Sequence, residues 1–365
     1  MQISIGKVEI EKSYAEREGI DVRVHITNLY GMAPFSTALI AQNDSAKIGK
    51  KLGYNELGVY AYDSSRESGD ALLARLDGII ASVGLGDIVI YQSPTWNGHE
   101  FDRRLIDRLK ATQCKLISFI HDIPPFMFWE TNGYLTPYYI DLYNQSDLLI
   151  LPSKRIHDRM IAAGLTVKKV VYQEFWDHPY EGYLNQPVFQ RKLYFAGNVE
   201  RFPHLANWNH STPLFIFSKE KEGAAPGEFN RFYEGWKPDS LLMNELSGGG
   251  FGLVWGTSEK PEDEEDYYTQ NLSHKVSTYL AAGIPIVVPS YLSNAAYIED
   301  NGLGFVVSSL EEANQRIEEV TEEVYQTMIE KVKYHGFLLR NGYFTQKVLS
   351  EAVVSLGQQT RSDLN

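Results

Sequence analysis

Asp122, Arg201 and Lys275 have the residue types and settings to do chemistry in this chain. Asp122 stands in Phe119-Ile120-His121-Asp122-Ile123-Pro124-Pro125, just after an apolar run and before a prolyl turn. A carboxylate held there could take a proton from a hydroxyl, with His121 orienting it or sharing the role. The competing structural reading is an aspartate that caps the turn following it. Arg201 closes Gly197-Asn198-Val199-Glu200-Arg201. In that stretch the glycine admits close backbone approach and the guanidinium could clamp a diphosphate with two parallel bonds. An exposed arginine in a surface salt bridge is the alternative. Lys275 follows Ser273 and His274 in the first turn of an expected helix. Free N–H groups, a partial positive charge and an ammonium combine there in a way that suits a diphosphate. A solvated first turn with ordinary caps would look the same. Tyr233 and Trp236 offer faces on which a flat ring could stack.

The elements that must position these residues read as strands alternating with helices. Apolar runs occur at residues 22–28, 57–62, 87–93, 115–121, 148–152 and 168–173, with helical patterns at 71–82, 101–110 and 138–145 among them. A second series follows at 192–197, 214–217, 229–233, 250–255, 284–289 and 304–307. Such alternation predicts right-handed crossovers and parallel sheets covered on both faces, hence two doubly wound α/β domains. The expected divisions are an arm at 1–21, a first domain at 22–178, a second at 190–335, and a closing helix and tail at 336–365. The stretch 175–189, with Pro179, Gly182 and Pro187, is the expected linker. Gly283 sits where a glycine ends helices, after 273–282. In parallel sheets ligands gather beyond the carboxyl ends of strands, where Asp122, Gly197 and the loop 92–97, with Thr95 and Trp96, are all expected.

Bulk composition narrows the function classes. With 34 Lys+Arg against 47 Asp+Glu the net charge is −13, which repels phosphate polymers and anionic lipid. No nucleic-acid partner is expected. No apolar run reaches the roughly 18 residues of a membrane span, and residues 1–7 lack the core of a signal peptide, so a cytoplasmic protein is expected. The single Cys114 cannot form an internal disulfide or a cysteine metal cluster. Neither G-x-x-x-x-G-K-[ST] nor G-x-G-x-x-G occurs, which removes the main support for an ATPase or a dehydrogenase. There is no D-x-D triplet to hold a metal on a diphosphate, and the acidic run at 262–266 reads as a solvated loop. His99, His157, His204 and His210 show no metal spacing. No metal and no cofactor is expected.

From residue 22 to about 356 the chain resembles the glucosyltransferase 3 type of GT-B glycosyltransferases, which extend the O-glycan on serine-rich repeat adhesins of streptococci and lactobacilli. The resemblance is carried by Gln92-Ser93-Pro94-Thr95-Trp96-Asn97, Phe119-Ile120-His121-Asp122, Trp176-Asp177-His178-Pro179, Gly197-Asn198 with Glu200-Arg201-Phe202, Gly250-Phe251-Gly252-Leu253-Val254-Trp255, and Leu280-Ala281-Ala282-Gly283-Ile284-Pro285. It implies two Rossmann-like domains facing a cleft, a UDP-sugar on the second domain, a protein-linked N-acetylglucosamine as acceptor, and a homotetramer. Carried over residue by residue, it puts Arg201, Lys275 and the aromatic near Trp236 on the diphosphate and nucleoside, with Thr37 facing the donor; Gly197, Asn198, Tyr233 and Ser273 complete the expected donor side, and Thr95 and Trp96, from the strand-end loop, the expected acceptor side. Two features depart from the family pattern: the longer segment before Val22, and Trp236 where relatives carry tyrosine.

Many retaining GT-B enzymes carry a Glu-x7-Glu pair; the corresponding positions here are Gln270 and Thr278. Its absence favours direct displacement at the anomeric carbon with inversion. Asp122 is then the base, and Arg201 and Lys275 stabilise the departing UDP. The expected donor is UDP-glucose, with residues 267–273 read as the loop that sets room for the donor sugar. UDP-N-acetylglucosamine as donor, a UDP-sugar epimerase of similar plan, and a non-catalytic stabilising subunit remain as alternatives.

Overall fold

The structure, a computed structural model, describes residues 22–34, 36–202, 205, 208–218, 230–256 and 267–357. The expected arm, the acidic run at 262–266 and the tail beyond 357 lie outside the described residues. Two six-stranded sheets form, each wholly parallel. The first has the order β2-β1-β3-β4-β5-β6. Its strands are β1 (Val24–Tyr30), β2 (Asn55–Tyr60), β3 (Ile88–Ser93), β4 (Lys115–Ile120), β5 (Leu148–Leu151) and β6 (Val170–Tyr172). The second, ordered β12-β11-β10-β7-β8-β9, comprises β7 (Leu193–Ala196), β8 (Leu214–Phe217), β9 (Arg231–Tyr233), β10 (Phe251–Leu253), β11 (Ile286–Pro289) and β12 (Gly304–Val307).

Helices cover both faces of each sheet, so central strands are buried on both sides and consist of unbroken apolar residues: Leu148–Leu151 and Ile286–Pro289 are buried at every position. The chain order reverses between β1 and β3 in the first sheet and between β7 and β10 in the second, and a crevice opens at the carboxyl ends of such pairs.

The final elements depart from expectation. The stretch 311–332 is two helices, Leu310–Glu319 and Glu322–Arg340, and Thr321 caps the second by accepting from Val324 N at 3.3 Å. The boundary expected at 336 falls inside the continuous second helix. Gly336 is there for close packing: a Cβ on it would come within 2.5 Å of the Leu280 carbonyl oxygen. The chain turns instead at Gly342, whose φ of 74° suits glycine. The last helix, Tyr343–Gly357, then returns to the first sheet, where Val348, Leu349 and Ala352 pack with Ile26 and Ile48. Among the described residues no helix is long and apolar enough to cross a membrane.

Candidate active site

A cavity of about 1020 Å³ opens between the carboxyl ends of the two sheets. From the first domain Thr37, His121 and Asp122 line it; from the second, Gly197, Asn198, Arg201, Trp236, Ser273 and Lys275. The sheets explain this meeting. β4 ends at Ile120 and delivers His121 and Asp122, anchored by His121 N donating to Ser93 O at 2.9 Å. β7 ends at Ala196 and delivers the turn that follows, in which Asn198 Oδ1 accepts from Glu200 N at 3.0 Å and so fixes where Arg201 emerges.

Asp122 does not cap the turn after it; the helix Pro124–Met127 has no side-chain cap. Its Oδ1 instead accepts two bonds from the second domain, from Tyr267 Oη at 2.9 Å and Asn271 Nδ2 at 3.0 Å. Burial pushes its carboxyl up to about 6, against the Tyr267 bond, the Arg201 charge and the Asn271 bond, which hold it down.

His121 does not orient Asp122. Its Nε2 meets Gln92 Oε1 at 2.8 Å. Gln92 spends its amide hydrogens on the Thr27 and Gln42 carbonyls, so Oε1 must accept and His121 Nε2 carries the proton. The ring stacks on Trp176 at 4.8 Å, and Trp176 stacks on His274 at 5.4 Å, each pair 9° from parallel. Burial lowers both histidines to about 3, helped for His121 by His274 and for His274 by His178 and Lys275. His121 lines the cavity beside Asp122, with its Nδ1 meeting no partner among the described residues.

On the opposite wall Ser273 occupies the position before the helix His274–Ala282 without capping it; its hydroxyl lies 3.3 Å from that of Tyr268. Gly283 ends the helix at φ 89°. Lys275 Nζ donates to Tyr268 Oη at 2.9 Å and lies 4.7 Å from the Phe202 ring centre. Burial works to raise the Tyr268 hydroxyl, yet the Lys275 charge and bond, Ser273 and Arg201 bring it below the ordinary tyrosine value. Gly197 packs so closely that a Cβ there would sit 2.8 Å from Lys275 Cε. Arg201 is exposed and makes no ion pair among the described residues. Two cations and the free N–H groups of a nine-residue helix thus converge on one volume, which is the arrangement that anionic oxygens require.

Three expected residues do not join this group. Tyr233 is partly buried against a core cluster of the second domain and does not line the cavity. Thr95 is buried and its hydroxyl donates to the buried Asp102, and Trp96 beside it adopts a left-handed φ of 62°; neither lines the cavity. Conversely Tyr267, Tyr268 and Asn271 entered the sequence reading only as part of the loop 267–273 expected to shape the donor-sugar room, with no role of their own. Residues 267–270, expected as loop, form the short helix Tyr267–Gln270 that carries the first two. Trp176, Asp177 and His178, also in the cavity wall, were visible only as a motif of the family resemblance. Among the described residues no group of three His, Cys, Asp or Glu side chains is placed to hold a metal.

Two facing, wholly parallel sheets with a charged cleft between their carboxyl ends are the arrangement of the GT-B fold. Solved structures agree on the fold: sucrose-phosphate synthase of Thermosynechococcus elongatus superposes with a TM-score of 0.63 over 93% of this chain and all of that one, at 9% identity. An alpha-glucosyltransferase in complex with UDP gives 0.60 over 91% of this chain and 99% of that one, at 13% identity. The chain belongs to the glucosyltransferase 3-like family: the N-terminal domain model of that family matches residues 23–175 and the C-terminal model 193–352. It is 58% identical to Glucosyltransferase 3 of Streptococcus gordonii over 92% of this chain and 99% of that protein. With Glucosyltransferase 3 of Streptococcus parasanguinis the identity is 38% over 91% and 98%.

Proposed function

We propose that this protein transfers glucose from UDP-glucose onto N-acetylglucosamine already attached to serine or threonine of a serine-rich repeat adhesin, with inversion and without a metal. The observation that carries this reading is the division of one cavity between a raised carboxylate, Asp122, on one wall and the cations Lys275 and Arg201 on the other.

In the reaction, Asp122 takes the proton of the acceptor hydroxyl as its oxygen bonds to the anomeric carbon. The bond from that carbon to UDP breaks, and its electron pair goes to the terminal phosphate oxygen of UDP. Arg201, Lys275 and the helix N–H groups meet the charge that grows there. Trp236, exposed at the cavity rim, offers its face to the base, and Thr37 faces the donor from the first domain. Gln270 is hydrogen-bonded to Arg159 at 3.1 Å, and Thr278 stands in the cavity wall. Neither is a carboxylate that could form a glycosyl intermediate, which supports direct displacement.

The testing experiment is a panel of UDP-sugars against an N-acetylglucosamine-bearing serine-rich peptide, with and without chelator and with linkage analysis. UDP-glucose should be the preferred donor, giving a β-linked product at a rate unchanged by chelator. Light scattering should give the mass of a tetramer. Preference for UDP-N-acetylglucosamine would change the donor assignment; epimer from donor alone would replace the transferase reading.

A further inference from the structure

The helix Tyr267–Gln270 belongs to the chain of the second domain but is fastened to the first. Ser153 Oγ donates to Gln270 O, Arg155 to Thr269 O at 3.2 Å, and Arg159 to Gln270 Oε1 at 3.1 Å. Its first two residues point to different halves of the cleft. Tyr267 donates to Asp122 Oδ1 at 2.9 Å and is held by Ile123 N at 3.2 Å and Asn271 Nδ2 at 3.0 Å. Tyr268 accepts from Lys275 at 2.9 Å.

The Tyr267 hydroxyl therefore accepts two bonds and has one hydrogen to give, and that hydrogen goes to Asp122. Asp122 Oδ1 is already engaged by Tyr267 and Asn271, whereas Oδ2 takes no bond from the described residues. We propose that Tyr267 is the positioning residue of the base: by fixing Oδ1 it leaves Oδ2 to receive the acceptor proton, and its bond stabilises the ionised form that catalysis needs. This rests on Asp122 being the base.

Balance is kept without a co-reactant. The acceptor proton ends on Oδ2 and is released to water after UDP departs, and the Tyr267 proton never leaves its oxygen. The groups facing Asp122 are Tyr267 and Asn271 from the second domain's chain, Arg201 from the turn after β7, Tyr143 from the helix Thr136–Tyr143, and the neutral His121 beside it. A substitution at 267 leaves Arg201 unchanged, but Tyr267→Phe also removes the oxygen that Asn271 Nδ2 and Ile123 N meet, so the fluorinated phenol, which keeps that oxygen, is the variant that reports the strength of the Tyr267 bond.

The test is kcat/KM against pH from 5 to 9 for the full-length enzyme, for Tyr267→Phe, and for enzyme carrying 3-fluorotyrosine at position 267, with Asp122→Asn as control. A hydrogen bond to an ionised group corresponds to a shift of about one pH unit. Tyr267→Phe should move the acid limb up by that amount, lose about ten-fold at pH 5.5 and recover most activity by pH 8.5. The fluorinated phenol is a stronger donor of the same shape and should move the limb down. UDP affinity by calorimetry should stay within two-fold in both. An unmoved limb in both variants, or a Tyr267→Phe loss equal at every pH, would overturn the positioning role. Should Tyr267→Phe fail to fold, the direction of the fluorotyrosine shift decides alone. Asp122→Asn separates the two ideas: if it keeps turnover the base assignment fails, and if it is inactive while both Tyr267 variants keep the native limb, only the present inference fails.

Discussion

His121 and Trp176 stack with ring centres 4.8 Å apart and planes 9° from parallel, and the indole in turn stacks on His274. Trp176 comes from the segment between the domains, so this column joins the end of β4 to the first turn of the helix bearing Lys275. Trp176 is buried, and removing a ring of that size from a packed site costs about 3–5 kcal/mol. Trp176→Ala should lower stability to urea by that order, and Trp176→Phe by clearly less. Equal small losses in both would show that the column contributes little.

Gly197 and Lys275 make a sharper prediction. A Cβ at 197 would lie 2.8 Å from Lys275 Cε, the far end of a flexible side chain, so Gly197→Ala should displace the lysine while leaving the fold intact. Calorimetry should show UDP binding weakened about ten-fold, comparable with Lys275→Ala, since a hydrogen bond to a charged group contributes about 1.5–3 kcal/mol. Lys275→Ala should also slow transfer, because the charge it meets grows as the bond breaks. Undiminished binding in Gly197→Ala with a lowered melting temperature would mean that the glycine serves only packing.

Asp102 predicts a pH dependence of stability. Burial pushes its carboxyl up to about 7 despite the bond from Thr95. A pKa raised on folding means that the folded state holds the proton more tightly. The contribution is complete below the ordinary carboxylate value and is lost as pH rises toward 7. Asp102→Asn removes this loss. Its stability relative to the parent should rise with pH between 5 and 7, by up to about 1.4 kcal/mol per unit, and level off above. Denaturation at several pH values measures it, and a pH-independent difference would contradict the buried, protonated Asp102.

The fold was legible where one physical rule dominates. Residues 214–217 were read with the strand ends the structure shows, because a strand covered on both faces must be apolar throughout, and the half-buried edge strand 304–307 was read to its observed ends as well. Gly283 marked its helix end because only a left-handed residue closes the turn there. The environment of the base was not legible: Tyr267 lies 145 residues from Asp122, and no local pattern encodes a contact made only when two sheets face each other. Thr95 misled for a related reason. A polar residue at a strand end looks available for ligand, yet Asp102 engages Thr95 from within the first domain. Helix continuity through Gly336 escaped because the glycine answers to the Leu280 carbonyl rather than to a turn.

The most direct test of the central claim compares Asp122→Asn with the parent enzyme, measuring glucose transfer to the glycosylated peptide and UDP affinity in the same preparations. The substitution keeps an oxygen for Tyr267 but cannot accept the acceptor proton, and the parent should show a rate that falls as pH drops through about 6. Loss of transfer by about a hundred-fold or more, with UDP affinity within two-fold of the parent, is the predicted result. Transfer retained at the parent's rate and pH profile would contradict it.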